Sequence, residues 1–164
     1  AYRRVCTNLP DPQAAGRHPC FITKRGFRPV FTTNIASGVR EDLAAWQKLN
    51  VTAFLASGVA AEAPESIGEP YADALGRPFG RMFAQPVMVF AADGDGLRKA
   101  LRRAHDGGLT ATAYVAAMFA TSHDEANREV FRAENPDAPD LVGIGLRGER
   151  KAVDKAIKGL KLSA

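Results

Sequence analysis

Along this chain, apolar positions fall into two recurring patterns, short continuous or alternating runs and longer stretches at helical spacing, and the two alternate from residue 30 onward. Val30 to Val39 (VFTTNIASGV) reads as a short first strand. Arg40 to Ala61 then reads as a helix, with Leu43, Trp46, Leu49, Ala53, Phe54 and Val59 as its apolar face and Pro64 ending it. Glu69 to Gln85, rich in Gly and Pro with scattered Tyr71, Phe79 and Phe83, predicts an irregular hairpin or covering loop. Pro86 to Ala91 (PVMVFA) is continuously apolar, the pattern of a central strand buried on both faces.

The second half repeats the alternation. Asp93 or Asp95 is placed to cap a helix over Leu97 to His105, which Gly107 and Gly108 end. Thr110 to Phe119 predicts a strand, and a helix follows near Asp124 to Ala133. After the loop AENPDAPD, Val142, Ile144 and Leu146 alternate with two glycines, as in a strand whose neighbours approach the backbone closely. Beyond Gly148, Val153, Ala156, Ile157 and Leu160 define the apolar side of a last helix, and Lys151, Lys155 and Lys158 share another side. Gly159 is placed to close it in the left-handed conformation. Strands alternating with helices predict an α/β fold with layers of helix on a sheet.

Charge changes the picture only when it is divided along the chain. The formal net charge is +4 over 164 residues. Six basic groups against Asp11 give residues 1–33 a charge of +5, which leaves −1 for residues 34–164. The basicity therefore belongs to the first segment, and a nucleic-acid reading of the whole domain loses its main support. That segment also holds both cysteines, Cys6 and Cys20, and four of the prolines. We expect residues 1–28 to form a flexible basic leader and residues 29–164 to form a single α/β domain. The cysteine-free body and the lack of an apolar run suited to a signal peptide or membrane span give the expectation of a cytoplasmic protein with no membrane partner.

Two blocks, Val39 to Gly58 (VREDLAAWQKLNVTAFLASG) and Leu141 to Leu162, together with the intervening GEPYADALGRPFGRMFAQPVMVFAAD and AAMFATSHDEANR, resemble an uncharacterised bacterial family, domain of unknown function two thousand, from about Asn34 to the C-terminus. That family looks like type II peptidyl-tRNA hydrolases in fold, which implies a three-layer α/β/α arrangement around a small mixed sheet. The hydrolases share a closing Gly-Ile-Gly strand and an Asp-Lys helix, here Gly143-Ile144-Gly145 and Asp154-Lys155. They also share Arg-x-Asp-Leu after the first strand, here Arg40-Glu41-Asp42-Leu43. Their catalytic lysine is matched most nearly by Lys48, one position displaced. Where they carry Asp-Ala-Gly-x-Thr, this chain has Met118-Phe119-Ala120-Thr121, which keeps a threonine and brings no acid. The resemblance thus implies the fold and little peptidyl-tRNA hydrolysis.

The candidate chemistry lies where two helices begin. Thr121-Ser122-His123-Asp124-Glu125 places hydroxyls, an imidazole and carboxylates at a strand-to-helix junction, the usual ligand position in open α/β sheets. Thr121 with Asp124, or Ser122 with Glu125, also fits a capping box, and His123 is a candidate general base. Arg40, Asp42, Gln47, Lys48 and Asn50 cluster at the start of the first helix, where a lysine can hold phosphate or stabilise developing negative charge. The candidate catalytic residues are accordingly Lys48, Thr121 and His123. The candidate ligand-binding residues are Arg40, Asp42, Gln47, Asn50, Ser122 and Asp124.

No cofactor or metal is expected. Gly143 to Gly148 spells G-x-G-x-x-G, but its first glycines lie inside a strand and no further strand completes a dinucleotide unit. The body holds no cysteine and no second well-spaced histidine to complete a metal site. The expected function is that of an uncharacterised protein of hydrolase-like fold, either a small-ligand binder or an enzyme with altered chemistry. The alternatives are a non-catalytic self-associating module and a residual peptidyl-tRNA hydrolase. A small ligand, a homo-oligomeric partner and, with less support, RNA through the lysine stripe remain open as partners.

Overall fold

A computed structural model describes residues 31–163. The proposed leader at residues 1–28 lies outside the described residues. Five strands form one mixed sheet in the order β5-β6-β1-β4-β7. They are β1 (Thr33–Arg40), β4 (Val87–Ala92), β5 (Thr110–Val115), β6 (Leu141–Glu149) and β7 (Lys161–Leu162). β1 runs parallel to β4 and antiparallel to β6, which is antiparallel to β5. A two-stranded hairpin of β2 (Tyr71–Ala72) and β3 (Pro78–Phe79) stands apart from this sheet.

Helix α1 (Ala45–Glu62) covers one face, and α2 (Gly94–Asp106) with α4 (Arg150–Ala156) covers the other. Two apolar clusters follow from this sandwich. Val39, Leu43, Val51, Leu55, Tyr114 and Val142 lie on the α1 side; Ala36, Leu97, Ala100, Ile144, Leu146 and Val153 lie on the α2 and α4 side. The architecture is therefore the α/β fold expected from the alternating pattern, with helices on both faces of a mixed sheet.

The alternating glycines of β6 set the thickness of the α1 layer. A Cβ on Gly145 would stand 2.5 Å from Thr112 Oγ1 and 3.2 Å from Leu55 Cβ, and one on Gly143 would collide with Val51. These positions face α1, whereas Ile144 and Leu146 face the opposite layer. The register then skips Val142 between the pairs Tyr114↔Gly143 and Val115↔Leu141, a bulge that turns Val142 into the α1 cluster.

Several expectations need correction. The PVMVFA strand is not central: β4 is second from the edge, its outer neighbour β7 pairs with it at two positions, and Met88 is 44% exposed. Central position belongs to β1. The strand expected over Thr110 to Phe119 stops at Val115, and Ala116–Ala120 winds into a 3-10 turn. The first helix starts at Ala45, and its buried face is Val51, Leu55 and Val59, spaced at i and i+4. Leu49, 72% exposed, and Trp46, 63% exposed, lie off that face. The last helix ends at Ala156, and Gly159, at φ +99, closes its final turn so that Lys161–Leu162 returns as β7. The cap of α2 is Asp93, whose carboxylate accepts from Gly96 N at 2.7 Å.

Candidate functional site

The end of β5, the 3-10 turn and the first turn of α3 (Asp124–Arg132) fold against the N-terminal half of α1 and enclose a cleft of about 340 Å³. Its lining has two chemical parts. Trp46, Phe54, Tyr114 and Phe119 supply aromatic rings, with Met118 among them, while Asn50, Thr121, Ser122, His123, Asp124 and Asn127 supply polar groups. Trp46, Asn50 and Phe54 recur at i and i+4, so α1 presents them as one stripe, about 100° to 140° round from Val51 and Leu55. One helix thus uses one face to hold the sheet and another to wall the cleft.

The rings form a continuous curved wall. Trp46 and Phe119 meet edge-on with centroids 5.9 Å apart, Phe119 and Tyr114 are 5.3 Å apart and tilted by 47°, and Tyr114 and Phe54 are 5.5 Å apart at 69°. Such edge-to-face contacts contribute about 0.5 to 1.5 kcal/mol per pair beyond area burial. Tyr114 lies deepest, 5% exposed, and burial pushes its phenol pKa up from the ordinary 10.0 because the anion would lose water. Among the described residues, Arg147 Nε alone is a sealed side-chain polar atom without a partner. Tyr114 lines the cleft, and no described residue hydrogen-bonds its hydroxyl.

The polar rim is locally braced. Thr121 Oγ1 donates to the Met118 carbonyl at 2.8 Å and also meets the side-chain amide of Asn127. His123 is the N-cap of α3, its Nδ1 accepting from Ala126 N at 3.3 Å. An accepting Nδ1 carries no proton, so the ring proton sits on Nε2. The residue that caps the helix is thus His123, where the sequence pattern favours Thr121 or Ser122. Asp124, in the first turn, forms an ion pair with Arg128 at 2.6 Å.

The expected site residues divide between two places. Asn50, Thr121, Ser122, His123 and Asp124 line the cleft. Lys48 does not: at about 100° per residue it lies about 200° round α1 from Trp46, half-buried on the sheet-facing side. Gln47 turns back on its own helix, its Oε1 accepting from Ala44 N at 3.0 Å. Arg40 donates to Asp42 and to Asp140, both at 2.7 Å, and so ties the end of β1 to the segment before β6. The cleft residues not expected from the sequence are Trp46, Phe54, Tyr114, Met118, Phe119 and Asn127. The available signal was Asn50, a polar residue at the centre of an otherwise aromatic helical stripe.

Among the described residues, no group of three His, Cys, Asp or Glu side chains is placed to hold a metal ion, and no helix is long and apolar enough to cross a membrane. What the fold and cleft define is an α/β domain with an aromatic-walled, polar-rimmed hollow beside its sheet. The chain belongs to the family described as Protein of unknown function (DUF2000), whose profile matches residues 33–164. It is also similar to the solved structure of a protein of unknown function, Atu0240, from Agrobacterium tumefaciens str. C58. The two are 50% identical with a TM-score of 0.79, over 82% of this chain and all of that one. No curated protein matches the chain.

Proposed function

We propose that the cleft between α1 and α3 is a binding site for a small molecule, and that any chemistry performed there uses His123, Thr121 and Tyr114. The Tyr114 hydroxyl carries this reading. Tyr114 is buried within an aromatic wall and its hydroxyl has no hydrogen-bond partner among the described residues, which suits a group that takes its partner from a bound ligand. The cleft also falls at the lower end of the usual volume for small-molecule sites and combines an apolar wall with a few polar groups.

A relation in fold to the type II peptidyl-tRNA hydrolases is part of this proposal, resting on Gly143-Ile144-Gly145 and Arg40-Glu41-Asp42-Leu43. Hydrolysis is not. Lys48 stands outside the cleft, and Met118-Phe119 occupies the place of the acid. Self-association is the competing reading, supported by Leu49 and Trp46 exposed on α1.

The test is a thermal-shift screen of the full chain against a panel of neutral, anionic and cationic small molecules, repeated with Trp46→Ala and Tyr114→Phe. A ligand of the cleft raises the melting temperature of the wild type, as any ligand selective for the folded state does, and loses most of that effect in both variants. A panel without binders, or binders indifferent to both substitutions, would overturn the reading.

A further inference from the structure

The charge and wall geometry of the cleft point to the class of its ligand. Taking the cleft as a small-molecule site, we propose that the ligand is a compact alkylated ammonium ion, held against the faces of Trp46, Phe54, Tyr114 and Phe119 with Asp124 as its counter-charge. Three observations converge on this assignment.

The wall is curved. A flat ring is gripped best between two parallel aromatic faces, but here successive rings turn by 66°, 47° and 69°. Rings at such angles leave no parallel slot between neighbours and suit a rounded group better than a flat one. Aromatic faces are electron-rich, so the spherical group they favour is a cation, and methylated ammonium groups are the form whose hydration is easiest to remove.

The charge has the matching sign. Asp124 is the lining's ionised side chain, and neither Lys nor Arg lines the cleft among the described residues. His123, with Nδ1 accepting the Ala126 N–H, adds no positive charge in this arrangement. Arg128, which contacts Asp124 through Oδ2, and Arg132 line the adjoining hollow rather than this cleft; the Asp124–Arg128 pair is largely exposed, and such an i,i+4 pair is weak enough to yield to a ligand.

The floor has an acceptor. The Tyr114 oxygen is without a partner among the described residues, and a phenol oxygen receives the N–H or polarised C–H of an ammonium group as readily as water. Trp46 completes the site and reports on it, since it is the one tryptophan of the chain.

The experiment is a fluorescence titration of the full chain with choline and with 3,3-dimethyl-1-butanol, its uncharged isostere, followed through Trp46. Choline is expected to bind about fivefold more tightly than the alcohol, between the ranges of exposed and desolvated cation–π sites, since Trp46 and Phe54 are themselves partly exposed. Phe54→Leu, which keeps apolar bulk and removes a ring, should weaken choline several-fold and the alcohol markedly less. Asp124→Asn should also weaken choline selectively, with circular dichroism melts showing both variants folded. Equal binding of choline and the alcohol, or tighter binding of the alcohol, would overturn the ammonium assignment while leaving the cleft a ligand site. If neither compound binds, the ammonium assignment fails, and the panel screen separately decides whether the cleft binds anything.

Discussion

The rings of Phe54 and Tyr114 meet at 69° with centroids 5.5 Å apart, so the outer stripe of α1 is joined directly to the end of β5. This contact makes the cleft wall a product of the fold rather than of a loose loop. It also separates two roles of Tyr114, whose ring packs and whose hydroxyl, in the proposed function, meets the ligand.

Tyr114→Phe separates those roles. Because the hydroxyl has no partner among the described residues, its removal should change folding stability by less than about 1 kcal/mol, the usual value of a single hydrogen bond. Ligand affinity in the cleft should fall about fivefold or more. The checks are a urea denaturation curve and a titration with any ligand from the screen. A large stability loss with unchanged affinity would show the hydroxyl to be structural.

The same residue sets an alkaline limit. Burial raises the phenol pKa in the folded state above its ordinary 10.0, so the folded state holds the proton more tightly than the unfolded chain. This contribution is fully present below pH 10 and is lost as pH rises through the raised folded value. Stability measured by denaturant from pH 8 upward should therefore fall more steeply in the wild type than in Tyr114→Phe. Parallel curves would contradict the buried phenol.

At Gly145 the cost is steric. The new Cβ of Gly145→Ala would stand 2.5 Å from Thr112 Oγ1, with Leu55 and Val59 each at 3.2 Å, so α1 must move off the sheet. Overpacking of this kind costs about 1 to 3 kcal/mol. Thermal unfolding should show the loss, and adding Thr112→Ala, which removes the Oγ1 contact, should not rescue it fully, because Leu55 and Val59 remain.

His123 serves as a cap before any chemistry is considered. His123→Ala should destabilise by about 0.5 to 2 kcal/mol, whereas His123→Asn, with a better capping side chain, should restore that stability. Any catalytic turnover later found in the cleft should be lost in both variants. Turnover retained by His123→Asn would remove the imidazole from the chemistry.

Lys48→Ala should leave cleft binding unchanged, since Lys48 lies on the opposite side of α1 from Trp46. Peptidyl-tRNA hydrolysis by the wild type should be weak or absent, because loss of a positioned acid or base typically costs about 100-fold to 10,000-fold in rate. Robust turnover that disappears in Lys48→Ala would reverse this.

Much of the fold was legible because its signals are local. The alternation in β6, the Asp93 cap and the Gly159 closure each depend on a few neighbouring residues, and each forms as the pattern predicts. Sheet position is not local: PVMVFA is apolar throughout, yet β4 lies beside the two-residue β7 rather than at the centre. The cleft was half legible for a related reason. Most of its polar rim is one contiguous segment, Thr121 to Asp124, joined by Asn50 and Asn127, while its wall is assembled from α1, β5 and the 3-10 turn. In a helix, Trp46 and Phe54 look the same whether they face a core or a cleft, and only the packing of Val51 and Leu55 on β6 settles which.

The most direct measurement is a crystal structure of the full chain grown with the strongest binder from the screen. The account predicts ligand density against the rings of Trp46 and Phe119, with a ligand atom within hydrogen-bond reach of the Tyr114 hydroxyl. Density for that ligand elsewhere on the protein, with the cleft holding only water, would contradict it.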